Sequence, residues 1–290
     1  MKIRVPQNLG LFPYDGNLIG GLMIGVGMAL TGACPGTVLV QAGSSSINSG
    51  AYPLLGGIVG GLIFVIASPY LHRLRRRLEH QPPEPASAAR TVLIASPTAG
   101  GPTIHATLNL KPSTILVAWE AFCLLILYAA SAVDPSKDKP QLAGLISPIA
   151  GGLAIGAAQA AVVLLTRHSV GCSKVYENVG RYLQCAVSLG KSQQPAVQHL
   201  LQPSVPFALG IVSTSALLAK LYPPISFSPV DGPVAPMTAL LGGATMAFGA
   251  SVAGGCTSGH GISGLVTFSF ASFIAVAAMF GAGIATSFLV

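Results

Sequence analysis

Charged side chains are nearly missing from this chain. Only 15 Lys and Arg and 8 Asp and Glu stand among 290 residues, 8% of the whole, against about 25% in ordinary soluble domains. With 51% apolar residues and a mean hydropathy of +0.68, a soluble globule would have too little polar surface. The chain therefore reads as a polytopic protein of the lipid bilayer. Other absences narrow its function. No Gly-x4-Gly-Lys-Ser/Thr loop is present to cradle a nucleotide, which argues against an ATP-driven pump. Neither paired carboxylates nor a Ser-His-Asp arrangement occurs, so the reading is not that of an enzyme. Residues 1–15 are polar and contain proline, with no short apolar stretch and small-residue cleavage site behind them, so no cleavable leader is expected. The five cysteines lie mostly in or beside apolar segments, which is no extracellular disulfide framework. Cys256 and His260 have a spacing a metal could use, but no acidic or further His ligand accompanies them. Neither metal nor cofactor is expected.

What charge there is clusters. Arg73, Arg75, Arg76, Arg77 and Arg90 crowd one loop, and Arg167, Lys174, Arg181 and Lys191 another. Both groups follow apolar spans directly, where the positive-inside rule places cytoplasmic charge, so the +7 net charge does not imply a nucleic-acid partner. Loops 73–112 and 167–191 are thus expected inside, in a multi-pass protein of the plasma membrane. The apolar spans read as 17–33, 51–71, 113–133, 142–166, 203–222, 237–253 and 265–290, with a short surface or re-entrant helix at 175–189. Residues 80–85 are rich in proline and read as disordered. Loop 223–236 lacks Lys and Arg, as an outer loop should. The expected organisation is a first transmembrane repeat at 1–72, a basic Pro-rich loop at 73–112, a linking helix and loop at 113–141, and a second repeat at 142–290.

The repeat rests on two segments 222 residues apart. Residues 20–37 read GGLMIGVGMALTGACPGT and residues 242–259 read GGATMAFGASVAGGCTSG. Aligned on Cys34 and Cys256, they match at Gly20/Gly242, Gly21/Gly243, Gly27/Gly249 and Gly32/Gly254. Each apolar run is short for a bilayer crossing, which takes about 20 residues, and paired short, Gly/Pro-broken segments point to the binding site of a small-solute transporter. The fold class is all-α, with two pseudo-symmetric halves in inverted repeat and short broken helices meeting near the membrane middle. The same offset places the partners of spans 142–166 and 203–222 before Met1, so the first repeat is expected to lack its opening helices.

The chemistry is expected at the two breaks. Pro35 is expected to end its helix, and Gly36 and Gly255 to adopt backbone angles other residues avoid. The breaks free backbone N–H groups beside the hydroxyls of Thr37, Thr257 and Ser258, which suits a small oxyanion. The thiols of Cys34 and Cys256 add weak S–H donors and soft contacts, matched to a sulfur-bearing anion. The alternative is that both cysteines merely fill tight helix breaks. His260 either assists the anion or shuttles a proton, or it is a hydrogen-bonded structural histidine. Cys172 is part of an inner-side pathway or a plain interfacial cysteine. Cys123 and Cys185 read as packing residues, and Gln41 and Gln159 as either path-lining or interhelical amides.

At these residues the chain resembles the YeeE/YedE family of sulfur-transport membrane proteins. The strings GACPGT at 32–37 and GGCTSGHGISG at 254–264, with the helix 25–30 before the first, carry the likeness. It implies thiosulfate uptake by two pseudo-symmetric halves, with Cys34 and Cys256 in the places of two central cysteines that pass the anion through S–H hydrogen bonds. A further family cysteine near the start of the first half has no counterpart here. Cys172 holds a similar place in the second half. The partners so implied are thiosulfate or a related sulfur anion and an intracellular sulfur acceptor protein. Sulfite transport, a membrane sulfur relay through a cysteine persulfide, and a non-transporting scaffold are the competing readings.

Overall fold

The computed structural model describes residues 6–44, 50–78, 103–104, 111–133, 148–166, 171–187, 202–221 and 234–289. The elements are α1 (Asp15–Thr31), α2 (Pro35–Gly43), α3 (Tyr52–Leu78), α4 (Pro112–Val133), α5 (Pro148–Thr166), α6 (Lys174–Val187), α7 (Ser204–Leu221), α8 (Pro236–Ala253), a π-helix (Thr257–Gly264) and α9 (Phe270–Ser287). Among the described residues, five helical stretches are long and apolar enough to cross a membrane. The chain is an all-α polytopic membrane protein. Arg90, Arg167, Lys191, the stretch 80–85 and positions 223–233 lie outside the described residues. The chain divides into two units, with α4 and α5 in one and the remaining helices in the other. α4 and α5 present exposed Val117, Leu124, Tyr128, Leu153, Leu164 and Leu165, surfaces that suit lipid.

Three boundaries differ from expectation. α3 continues to Leu78, so Arg73–Arg77 ride its last turns instead of a loop. Arginine is a good helix former, its charge suits a helix C-terminus, and its stem can reach the interface. Residues 35–43 form a helix of their own, because the fixed φ of Pro35 suits a first helical position. The expected span 265–290 is interrupted: the π-helix ends at Gly264, Phe268 takes a left-handed φ of 51°, and α9 begins at Phe270.

In the larger unit, α1 and α8 cross through their glycines. A Cβ on Gly20 would lie 2.6 Å from the Gly249 carbonyl oxygen and 2.5 Å from Ala253 N, and one on Gly27 would lie 2.6 Å from the Gly242 oxygen. Glycine is required at these positions because the two backbones touch, the small-residue packing that membrane helices favour. The contacts are reciprocal: Gly20 meets Gly249, the mate of Gly27, and Gly27 meets Gly242, the mate of Gly20. Such a set runs antiparallel and survives exchange of the two segments, as a local two-fold relation demands.

The flanking contacts obey the same exchange. Gly21 lies against Ala275 on α9, and its mate Gly243 lies against Pro53 on α3, the residue 222 before Ala275. α1 therefore pairs in parallel with α9, and α8 in parallel with α3, where Gly56 and Gly60 abut Leu240 and Ala244. Polar ties sit at the start of α1. Buried Asp15 accepts from the N–H groups of Leu9 (2.5 Å), Leu11 (2.8 Å) and Gly16 (2.7 Å), and buried Asn17 donates from Nδ2 to the Ala253 carbonyl (3.1 Å). A carboxylate at a helix N-terminus faces the favourable end of the peptide dipoles.

Candidate functional site

The site is built where α1 and α8 stop. α1 ends on Gly32 with φ 64° and α8 on Gly254 with φ 74°. These left-handed positions belong to the residue just past each helix, where glycine alone avoids strain. They are not the expected Gly36 and Gly255. The Gly255 N–H instead closes the end of α8 by donating to the Ala250 carbonyl (2.9 Å), so that donor is spent on the helix.

Each turn delivers a cysteine to the start of the next helical segment. Cys34 is the N-cap of α2, receiving the Thr37 N–H at 3.4 Å, with Thr37 Oγ1 3.1 Å from its sulfur. A thiol is a weak acceptor, so this cap satisfies the first-turn donors less fully than Ser or Asp would. Cys256, fully buried, is the N-cap of the π-helix, and its sulfur lies 3.1 Å from Ser258 Oγ. The N–H groups of Ser258 and Gly259 and the Ser173 side chain also face that sulfur, none of them in capping hydrogen-bond geometry. π-helical turns are rare and concentrate at functional sites.

α6 contributes a third cysteine. Its apolar face lies on α3, with Tyr176 against Gly57 and Gly61. The Tyr176 hydroxyl donates to the Pro35 carbonyl (2.8 Å), which ties α6 to the first turn of α2. Cys172, two residues before α6, is buried, and its N–H donates to Ser258 Oγ at 3.4 Å. A Cβ on Gly36 would lie 3.5 Å from Cys172 Sγ and 3.9 Å from Cys34 Sγ. Cys172 thus stands between Gly36 and Ser258, which are themselves repeat mates. The order across the site is Cys34, Gly36, Cys172, Ser258, Cys256.

The structure brings together Cys34, Gly36, Thr37, Cys172, Cys256 and Ser258. Thr257 opens the π-helix, half-buried beside them. His260 is buried and hydrogen-bonded: Nε2 lies 3.0 Å from the Ala253 carbonyl, which can only accept, and Nδ1 lies 3.0 Å from Ser272 Oγ. Gln41 Oε1 is buried with no hydrogen-bond partner, and Gln159 is on α5, in the other unit. Sequence reasoning missed Ser173 and Tyr176. Cys172 and Ser173 precede α6 and Tyr176 lies in its first turn, so no helical spacing links them and the sequence carried no signal for either missed residue. Among the described residues no group of three or more His, Cys, Asp or Glu side chains is placed to hold a metal ion. The arrangement offers three helical N-termini, each preceded by a thiol, with hydroxyls between them. It can bind a small soft anion and has no evident means of breaking a bond in it.

Comparison with known proteins identifies the family. A family model described as sulphur transport matches residues 2–286, and the chain belongs to that family. It is 24% identical over 267 residues to the thiosulfate transporter TsuA of Escherichia coli (strain K12), covering 87% of this chain and 68% of that protein. It is 29% identical over 140 residues to a probable transporter of Xylella fastidiosa (strain 9a5c), covering 48% of this chain and 90% of the relative. A probable transporter of Xylella fastidiosa (strain Temecula1 / ATCC 700964) is 30% identical over the same length and shares. Family and relatives are transporters, not enzymes.

Proposed function

We propose that this member of the sulphur-transport family takes up thiosulfate, or a closely related small sulfur oxyanion, along a path formed by Cys34, Cys172 and Cys256. The convergence of three cysteine-headed helical N-termini, with Cys172 between Gly36 and Ser258, is the observation that carries the reading. Each helical N-terminus presents roughly half a positive charge, which favours an anion that the surrounding apolar helices would otherwise reject. The S–H groups donate weakly and bind softly, so they hold a sulfur-bearing anion without trapping it. Cys172 shortens the step between Cys34 and Cys256. We read the reciprocal α1–α8 contacts as an inverted repeat, its axis in the membrane plane, with the breaks near the middle of the bilayer. In this reading the membrane is the plasma membrane, the basic segments face the cytoplasm, and an intracellular acceptor protein consumes the anion.

Uptake of labelled thiosulfate into cells lacking their own route tests the reading. A hydrogen bond to a charged group is worth about 1.5–3 kcal/mol, so Cys34→Ala, Cys172→Ala and Cys256→Ala, which delete the donor, should each lower uptake roughly 10- to 100-fold at limiting substrate. Wild-type uptake in all three variants would reject the cysteine path. Uptake of labelled sulfite in preference to thiosulfate would reassign the solute. A sulfane-sulfur adduct on Cys34 or Cys256 during turnover would favour the persulfide relay.

A further inference from the structure

Cys256 sits in a turn whose two ends are joined by one side chain. His260 reaches back to the Ala253 carbonyl, which Nε2 meets at 3.0 Å, while its own N–H donates to the Cys256 carbonyl at 2.8 Å. Ala253 is the last residue of α8, and its carbonyl is one of the four that a helix leaves without an internal partner. Asn17 of α1 donates to the same oxygen at 3.1 Å. A carbonyl only accepts, so Nε2 carries a hydrogen. In the neutral ring Nδ1 then accepts from the Ser272 hydroxyl, 3.0 Å away in the first turn of α9. Gly264 makes room for that hydroxyl, since a Cβ there would overlap Ser272 Oγ. The ring is buried, as are Ser272 and Asn17.

The first half closes its turn by other means. The backbone bond recurs, with the Val38 N–H donating to the Cys34 carbonyl at 3.0 Å. Subtracting 222 turns His260 into Val38, whose side chain has no polar atom, and Ala253 into Thr31. The Thr31 hydroxyl lies 2.8 Å from the Gly27 carbonyl and 2.9 Å from the Ala33 carbonyl, so residues of the turn itself hold it. The turn at Cys256 is held instead by the imidazole and, through it, by α9.

From this difference we infer that His260 is the positioning residue of Cys256: its ring, tied to Ala253 and Ser272, holds the turn that keeps this thiol buried against Ser258. Removing the ring releases the Ala253 carbonyl and the α9 tie together, and a buried network that loses its central member opens locally. The effect is confined to one thiol, because Val38 stands where a ring would act on Cys34. The positioning does not depend on what is carried; only its consequence for uptake rests on the path proposed above.

The test follows alkylation of the full chain in nanodiscs by N-ethylmaleimide, with the Cys256 and Cys34 peptides quantified by mass spectrometry. In His260→Leu the rate at Cys256 should rise at least about tenfold while the rate at Cys34 stays within about twofold of wild type. His260→Gln, whose Nε2 still donates to Ala253, should bring the Cys256 rate back to within about threefold of wild type. An unchanged Cys256 rate in His260→Leu, an equal rise at both cysteines, or His260→Gln as reactive as His260→Leu would each overturn the assignment. If His260→Leu does not fold, Ser272→Ala carries the test. It removes the Nδ1 tie alone and should raise the Cys256 rate about threefold, with no change at Cys34; no rise would overturn the assignment. Labelled-thiosulfate uptake by the same variants separates the two readings. Faster alkylation of Cys256 with wild-type uptake keeps the positioning and rejects a path through Cys256, whereas unchanged alkylation overturns the positioning whatever the uptake.

Discussion

Cys34 occupies a position where helices ordinarily place Ser, Thr or Asp, and the substitution of sulfur for oxygen has opposite consequences for stability and for transport. A serine at this N-cap would hold the Thr37 N–H more strongly, by about 0.5–1 kcal/mol, and would leave less of the first turn for a solute. Cys34→Ser should therefore keep or raise the thermal midpoint in detergent while lowering uptake. A fall in both together would make Cys34 a packing residue. Gly36 offers a cleaner probe. Alanine there meets the two sulfurs at ordinary van der Waals distances and suits a helix better than glycine, so the fold should hold. Its methyl nevertheless occupies the gap between Cys34 and Cys172, and thiosulfate uptake should drop at least tenfold. Unchanged uptake in Gly36→Ala would place the path elsewhere.

At the level of elements, the glycines that first expose the repeat prove to be packing devices. Gly20, Gly27, Gly242 and Gly249 let α1 and α8 touch, Gly21 and Gly243 seat α9 and α3, and Gly32 and Gly254 end their helices. Matched glycines thus report matched backbone approach, and the proposed path rests on the cysteines beyond them. Gly20→Ala should destabilise the protein by about 1–3 kcal/mol through overpacking. Gly281→Ala, whose Cβ meets nothing within 4 Å and which suits the middle of a helix better than glycine, should keep or raise the melting midpoint. Similar midpoints for the two variants would remove the crossing from the account.

The helices themselves were legible because long apolar runs with polar breaks fix their ends closely. The expected 237–253 and the observed Pro236–Ala253 differ by one residue. α2 was not, since Pro35 reads equally as a stop and as a first helical residue. The π-helix and the left-handed Phe268 leave no local pattern. For Cys172 the sequence left two readings open, since only the docking of α6 on Gly57 and Gly61 carries it to Gly36, and that contact spans more than a hundred residues.

For the molecule in its membrane, helix directions within the larger unit fix which ends share a face. Tyr14 stacks on Phe270 at 5.4 Å, so α1 and α9 start together. Phe64 stacks on Phe248 at 5.8 Å, in keeping with the parallel pairing of α3 and α8. Because α1 and α8 run antiparallel, the start of α1 lies at the end where α3 finishes. That end carries Tyr70 with the Arg73 guanidinium 6.0 Å from its ring centroid, and the proposed orientation assigns such basic residues to the cytoplasm. In that orientation Leu11, 66% exposed, lies on the cytoplasmic side, and Phe288, 85% exposed at the end of α9, lies outside. A membrane-impermeant maleimide added to intact cells should label Phe288→Cys well above the wild-type background. Leu11→Cys should react only after permeabilisation. Labelling of both from one side would break the parallel pairing of α1 with α9, and with it the proposed two-fold relation that maps this pair onto α8 and α3.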